Sequence, residues 1–464
     1  MKDNINCQNF AMLYKLSEVF CSSSEEALRY IDCCFPMVSE TDNFFRLDKK
    51  LVKKILSRSS LSITSEMEVF NAADAWLMAD FDERKTFVRD LLLTVRFSLL
   101  SSSVIHYILS KSSSFKENKD CLELVNEILE SKKNFCKHKS SAYFKTRYCA
   151  HDTFNIHVCE GKNSKTEKQA NKVIKLNGFD NLNNCEVVCS MVKKRCYFQA
   201  VQAKGDVFIF GGDDYIETNE RLYIREIERY SPVTNTCDVV ADITDANDEG
   251  LEAYCVCNFM DKIYLIGGLD DVENVRDCCL EFDAKHFAWK DISRMIEARA
   301  SAACAAFEER IVVCGGWTSL YGGAAGEGSN YHDNSSIRAM KTAEVYDRLA
   351  DTWSHLPDMV YSRCYHRAVA IGNKLFAVGG GRETFEVYDS TCGKFVAFKP
   401  ASTSYGEILN VPVAAVAVGF KIYVFGRNSS VVLCYDLENN GWSETSCEAT
   451  GNLASFSCVK LPQL

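Results

Sequence analysis

A short apolar strand that runs into a pair of glycines recurs along the last two thirds of the chain. It is seen at Phe208-Ile209-Phe210-Gly211-Gly212, Tyr264-Leu265-Ile266-Gly267-Gly268, Val312-Val313-Cys314-Gly315-Gly316 and Phe376-Ala377-Val378-Gly379-Gly380. Tyr423-Val424-Phe425-Gly426-Arg427 is a fifth copy without its second glycine, and Ile156-His157-Val158-Cys159-Glu160-Gly161 is a sixth, more worn one. The first glycines at 211, 267, 315, 379 and 426 are separated by 56, 48, 64 and 47 residues. Units of this length cannot bury their apolar faces alone, so such a chain must stack them against one another as a solenoid or a ring.

Two further features keep the same phase. Arg195, Arg299 and Arg363 each stand 16 residues before a first glycine. Downstream, an aromatic-Asp step is followed six residues later by another ring: Phe282-Asp283 to Trp289, Tyr346-Asp347 to Trp353, Tyr388-Asp389 to Phe395 and Tyr435-Asp436 to Trp442. Tyr230-Ser231 to Cys237 keeps the spacing with weaker residues. The three features together resemble the kelch repeat over residues 153–464. That resemblance implies an all-β propeller of six four-stranded antiparallel blades, a to d, with glycine pairs where backbones crowd and aromatic rings between blades. The first blade opens directly at Thr153-Phe154-Asn155-Ile156 with no a strand of its own. Leu453 to Val459 has strand character and is expected to close the ring by pairing into that blade, which removes an exposed edge.

The first third reads differently. Leu13, Leu16 and Phe20, then Leu28 and Ile31, then Leu51, Ile55 and Leu56 recur at helical spacing. Capping boxes at Ser22 to Glu26 and at Ser65 to Glu68 place helix starts before Ala27 and Val69. Val69, Ala73, Trp76 and Leu77 share one face, and a last helix is expected to carry Phe87, Leu91, Leu92 and Val95 inward. The run Ser65 to Trp76, followed by Asp82-Glu83-Arg84 and Leu91 to Leu100, resembles the BACK domain of BTB-kelch proteins. The resulting fold class is multidomain α and β: a helical BACK-type domain over 1–110, a helical and basic linker over 111–152, and the propeller over 153–464. In the resembled family a BTB domain precedes BACK, whereas this chain begins where BACK begins.

Composition narrows the function. The start Met1 to Asn6 is polar, and no segment approaches the length of apolar chain a membrane span needs, so a cytoplasmic protein with reduced thiols and no membrane partner is expected. The 23 cysteines include no Cys-x-x-Cys, so buried structural thiols are expected and no metal; Cys314 and Cys434, in expected strands, should be inert. A net charge of -10 opposes nucleic-acid binding, and the lysines of Ser131 to Arg147 read as a solvated linker. The glycine-rich stretch Gly315 to Gly328 lacks the Gly-Lys-Ser/Thr ending of a phosphate loop. The eight histidines show no ligand pair or catalytic partner at a motif distance, so neither enzymatic activity nor a cofactor is expected.

What remains is protein binding. The b-to-c and d-to-a loops of every blade share one end of the propeller, and propellers commonly bind partners there. Asp213, Leu269, Trp317, Arg382 and Arg427 follow the glycine pairs, and Tyr197, Ser301 and Tyr365 stand two residues after the register arginines. These, with Tyr321 and Tyr331 on the long insertion between Trp317 and Met340, form the candidate partner-binding face. The register arginines themselves are expected to hold loops by hydrogen bonds. Resemblance to BTB-kelch proteins implies a substrate receptor of a cullin-3 RING ubiquitin ligase, with Asn4 to Ile31 contributing to the cullin contact. The alternative is a kelch scaffold that binds actin or another cytoskeletal protein without ligase activity.

Overall fold

The computed structural model describes residues 6, 9–19, 25–63, 65–97, 100, 104, 105, 107, 108, 123, 154–163, 170–177, 182–215, 221–243, 252–270, 274–319, 337–380, 384–390, 392–398, 408 and 412–462. It divides into a helical unit and a β unit that begins at Phe154. The expected linker over 111–152 lies, apart from Glu123, outside the described residues.

The helical unit contains Phe10–Val19, Glu25–Val38, Asp42–Phe45, Lys49–Leu56, Glu66–Met78, Phe81–Arg84 and Val88–Leu92. Ser65 caps the helix Glu66–Met78 by accepting from the Met67 amide at 2.8 Å. That helix buries Val69, Phe70, Ala73, Trp76 and Leu77. Trp76 donates its indole N–H to the Leu47 carbonyl at 3.0 Å, and the Arg84 guanidinium lies 4.0 Å from its ring centroid, so a large ring is buried with its polar atom satisfied. The last helix differs from expectation. It runs only from Val88 to Leu92, Val88 takes the inward place, and Phe87 is half-buried beneath the Lys49 ammonium, 4.1 Å from its centroid.

The β unit is a six-bladed propeller. Blades two to six each contain four antiparallel strands in chain order, with inner strands Gln199–Ala203, Cys255–Phe259, Ala303–Phe307, Arg367–Ile371 and Pro412–Val418. The first blade has the order Leu453–Pro462, Phe154–Asn163, Lys172–Leu176, Cys185–Ser190, so its inner strand comes from residues near the end of the sequence. Second strands such as Lys262–Ile266 and Arg310–Cys314 are buried almost throughout, because blades cover both of their faces, while outer strands such as Ala288–Asp291 are largely exposed.

The aromatic register fills the gaps between blades. Ring centroids lie 4.8 Å apart for Phe282 and Trp289, and 5.1 Å apart for Tyr346 and Trp353, Tyr388 and Phe395, and Tyr435 and Trp442. Each pair also reaches the preceding blade, as in Phe210 to Phe282, Tyr264 to Tyr346, Phe307 to Tyr388 and Phe385 to Tyr435. The long insertion of the fourth blade is not loop throughout. Its ends pair as a two-stranded ribbon, Trp317–Ser319 with Ile337–Ala339, because the b strand continues past its glycine pair. A second ribbon, Asp213–Tyr215 with Arg221–Tyr223, is built the same way in the second blade.

Candidate functional site

Beneath the expected binding face, Arg195, Arg299 and Arg363 are fully buried and repeat one arrangement in blades two, four and five. Each donates to the carbonyl of the first glycine 16 residues on, at 2.8 Å to Gly211, 3.0 Å to Gly315 and 2.6 Å to Gly379. Each also pairs with a fully buried carboxylate on its blade's third strand, Glu228 at 2.6 Å, Glu344 at 2.5 Å and Glu386 at 2.9 Å. A buried ion pair is tolerated only where its remaining lone pairs are satisfied. Here the carboxylates meet that condition by accepting backbone N–H groups from the loop that enters the blade: Val192 and Lys193, Ile296 and Glu297, Val360 and Tyr361, at 2.6–3.1 Å.

The clamp therefore fixes the loop and turns its side chains outward. Val192, Ile296 and Val360 are 53%, 51% and 49% exposed, each three residues before its arginine, and Tyr361 is exposed beside the last of them. Glycine and arginine spacing does not single out these residues, although their three-residue offset from Arg195, Arg299 and Arg363 is regular in the sequence.

Two residues after the arginine register the backbone turns left-handed, with φ of 53° at Tyr197, 52° at Ala253, 50° at Ser301 and 56° at Tyr365. Non-glycine residues adopt this conformation at a cost, and the surrounding bonds maintain it. The Ser301 amide donates to the Ala253 carbonyl at 2.7 Å and the Tyr365 amide to the Ser301 carbonyl at 3.0 Å, so these residues stitch successive blades together. The residue just before each turn pairs with the residue after the glycine pair: Cys196 with Asp213, Glu252 with Leu269, Ala300 with Trp317. The close approach explains the second glycine. At Gly268, φ is +104° and an added Cβ would lie 2.4 Å from the Glu252 carbonyl oxygen.

This pairing corrects part of the candidate face. Asp213, Leu269 and Trp317 are buried, because the bridge holds them inside the ring rather than on its surface. Tyr197 and Tyr365 are exposed and Arg427 is exposed with its guanidinium 3.4 Å from the Tyr197 hydroxyl, while Ser301 is half-buried between them. Burial pushes the Tyr365 phenol above its ordinary pKa, opposed by the polar groups of Ser301 and Trp317 beside it. Tyr321, Tyr331 and Arg382 lie outside the described residues. Charges on these loops are matched locally, Lys193 with Glu226, Arg294 with Asp277 and Lys341 with Asp358, so no single sign dominates beside the apolar residues. Among the described residues no cluster of three or more His, Cys, Asp or Glu could hold a metal ion, and no helix is long and apolar enough to cross a membrane.

The family model for BACK (BTB And C-terminal Kelch) matches residues 4–110, and the Kelch motif matches residues 194–244 and 298–360. The protein carries a BACK domain and kelch repeats, and its homologues are kelch-like proteins. Both kelch stretches contain an arginine–glutamate clamp, at Arg195 and Glu228 and at Arg299 and Glu344. Kelch-like protein 7 of Mus musculus is 25% identical over 463 residues, covering 96% of this chain and 72% of that protein. Kelch-like protein 25 of Xenopus tropicalis is 21% identical over 471 residues, covering 90% and 72% respectively. Kelch-like protein 28 of Homo sapiens is 29% identical over 126 residues, 27% of this chain and 21% of that protein. The BACK and kelch signatures are those of a protein-binding adaptor.

Proposed function

We propose that the propeller captures a target protein on its loop face, and that the chain serves as the substrate receptor of a cullin-3 RING ubiquitin ligase, with the first BACK helices contributing to the cullin contact. The capturing role rests on Val192, Ile296 and Val360, exposed apolar side chains held at one register by buried ion pairs. Tyr197, Ser301, Tyr365 and Arg427 flank them, and Tyr321, Tyr331 and Arg382 are proposed as further contact residues from their sequence positions alone. A surface already rigid before contact loses little entropy on binding, and Tyr and Arg are common anchors of protein interfaces. The ligase role rests on the resemblance to BTB-kelch proteins and the BACK match.

The test compares the wild-type chain with Val192→Asp/Ile296→Asp and with Tyr197→Ala/Tyr365→Ala in quantitative affinity capture. Because these side chains are exposed, the variants should melt like the wild type and lose a target by tenfold or more. That target's ubiquitylation should fall when cullin neddylation is inhibited. A target retained by both variants would refute the assignment of the face. One that is lost but never ubiquitylated, or actin co-sedimenting with the chain, would refute the ligase role in favour of a scaffold.

A further inference from the structure

At one blade boundary a thiol stands where the outer strands of four other blades carry a ring. In blades three to six the outer strand carries Trp289, Trp353, Phe395 or Trp442 at the position six residues after the aromatic-Asp step. In the second blade Cys237 holds that place, opposite Tyr230. Its Sγ lies 3.4 Å from the Sγ of Cys189, which stands on the outer strand Cys185–Ser190 of the first blade. The register of that strand shifts between Val173 and Ile174, so that Cys189 pairs with Val173 while Val187 pairs with Ile174; this bulge sets the direction of Cys189.

Both thiols are half-buried, which separates them from other close thiols in the ring. Cys255, Cys257 and Cys304 are buried in the core, where burial raises the Cys304 thiol well above its ordinary pKa. Cys314 and Cys434 are likewise buried, and burial pushes Cys314 up to about 12. Within the pair, the hydrogen bond from Cys237 holds Cys189 below the ordinary thiol value against the opposing effects of burial and Glu228, and it raises Cys237. An attacking thiolate beside a partner thiol is the arrangement that thiol–disulfide exchange requires.

We propose that Cys189 and Cys237 form a reversible disulfide that staples the first blade to the second. The oxidant is a low-molecular-weight disulfide of the glutathione class. The Cys189 thiolate attacks one of its sulfurs, forming a mixed disulfide and releasing one small thiolate. Cys237 then loses its proton, attacks the Cys189 sulfur and releases the second small thiolate. Two protein thiols are oxidised, one small disulfide is reduced to two thiols, and the two protons pass to the released thiolates. Bond formation needs the sulfurs to close from 3.4 Å to about 2.05 Å, within reach of side-chain rotation at half-exposed positions. Cys189 stands three residues before Val192, so the staple anchors the start of a loop that carries a proposed contact residue.

The full chain, equilibrated with reduced and oxidised glutathione at defined ratios, alkylated and mapped by mass spectrometry, should yield one cross-linked peptide pair joining Cys189 to Cys237, reversed by dithiothreitol. Oxidised wild type should melt at a higher temperature than reduced wild type. Cys237→Ser should abolish that shift and stop at a mixed disulfide on Cys189, whereas Cys189→Ser should leave Cys237 unmodified. Recovery of both as free thiols under conditions that modify the exposed Cys185 and Cys392 would overturn the proposal, as would a cross-link to any other cysteine. The wild-type map alone decides this if a variant fails to fold, and its outcome does not depend on whether a target binds the loop face.

Discussion

Removing both members of one clamp should cost less than the two single removals added together. Glu344→Leu leaves the fully buried Arg299 with only the part-exposed Glu297, 3.1 Å away, as a charge partner and takes the acceptor from the Ile296 and Glu297 amides, which costs about 3–5 kcal/mol. Arg299→Leu strands the carboxylate instead, although the Ile296 and Glu297 amides still donate to it, so a loss near the lower end of about 3–5 kcal/mol is expected. The double variant leaves no buried charge. Thr342 keeps a donor for its carbonyl in the Gly315 amide, whereas the Gly315 carbonyl and the Ile296 and Glu297 amides lose partners, at about 1–3 kcal/mol each. Those hydrogen-bond losses occur in the single variants too and cancel in the cycle, so the two mutations should couple favourably by up to about 3 kcal/mol. The third and sixth blades support this arithmetic, since Leu280 and Leu433 occupy the glutamate position there and Leu251 the arginine position of the third. Guanidinium unfolding followed by tryptophan emission suits the measurement, because of the five tryptophans only Trp76 lies outside the propeller. A double variant as unstable as the sum of its parents would refute the reasoning.

Deleting the residues after Gly451 removes the inner strand of the first blade and the contact of Phe456 with Phe425, and should abolish the cooperative melt of the propeller; an unchanged melt in differential scanning calorimetry would defeat this. Acid should unfold the ring through its buried histidines: burial, Arg363, Arg367 and Arg299 hold His366 down at about 3, and burial with Lys175 holds His157 at about 4. Because these folded values lie below the ordinary 6.5, their stabilisation is complete above that pH and is lost as pH falls toward 3–4, by up to about 1.4 kcal/mol per unit and group. His366→Gln should flatten the slope of unfolding free energy between pH 6 and 4, and an unaltered slope would exclude this cause.

The helical third was legible where its apolar spacing was regular, as at Val69, Ala73, Trp76 and Leu77, which are buried together. It was less legible at Phe87, where a cation covers a ring that spacing alone directs inward. Of the residues proposed for a binding face, Tyr197 and Tyr365 are exposed, but Asp213, Leu269 and Trp317 are buried because a backbone bridge to the neighbouring strand draws them in.

The sequence by itself determined the six repeats, their aromatic cores and the place of each register arginine. Those features lie within single hairpins whose geometry fixes the spacing, so the arginine-to-glycine interval stays at 16 residues while the surrounding loops vary. Only the tertiary structure decided which carboxylate each arginine meets. Insertions between the second and third strands set those separations at 33, 45 and 23 residues, and no linear rule survives such variation. The approach of Cys189 to Cys237, 48 residues apart, is likewise a product of ring closure, which brings outer strands of adjacent blades together regardless of the length of chain between them.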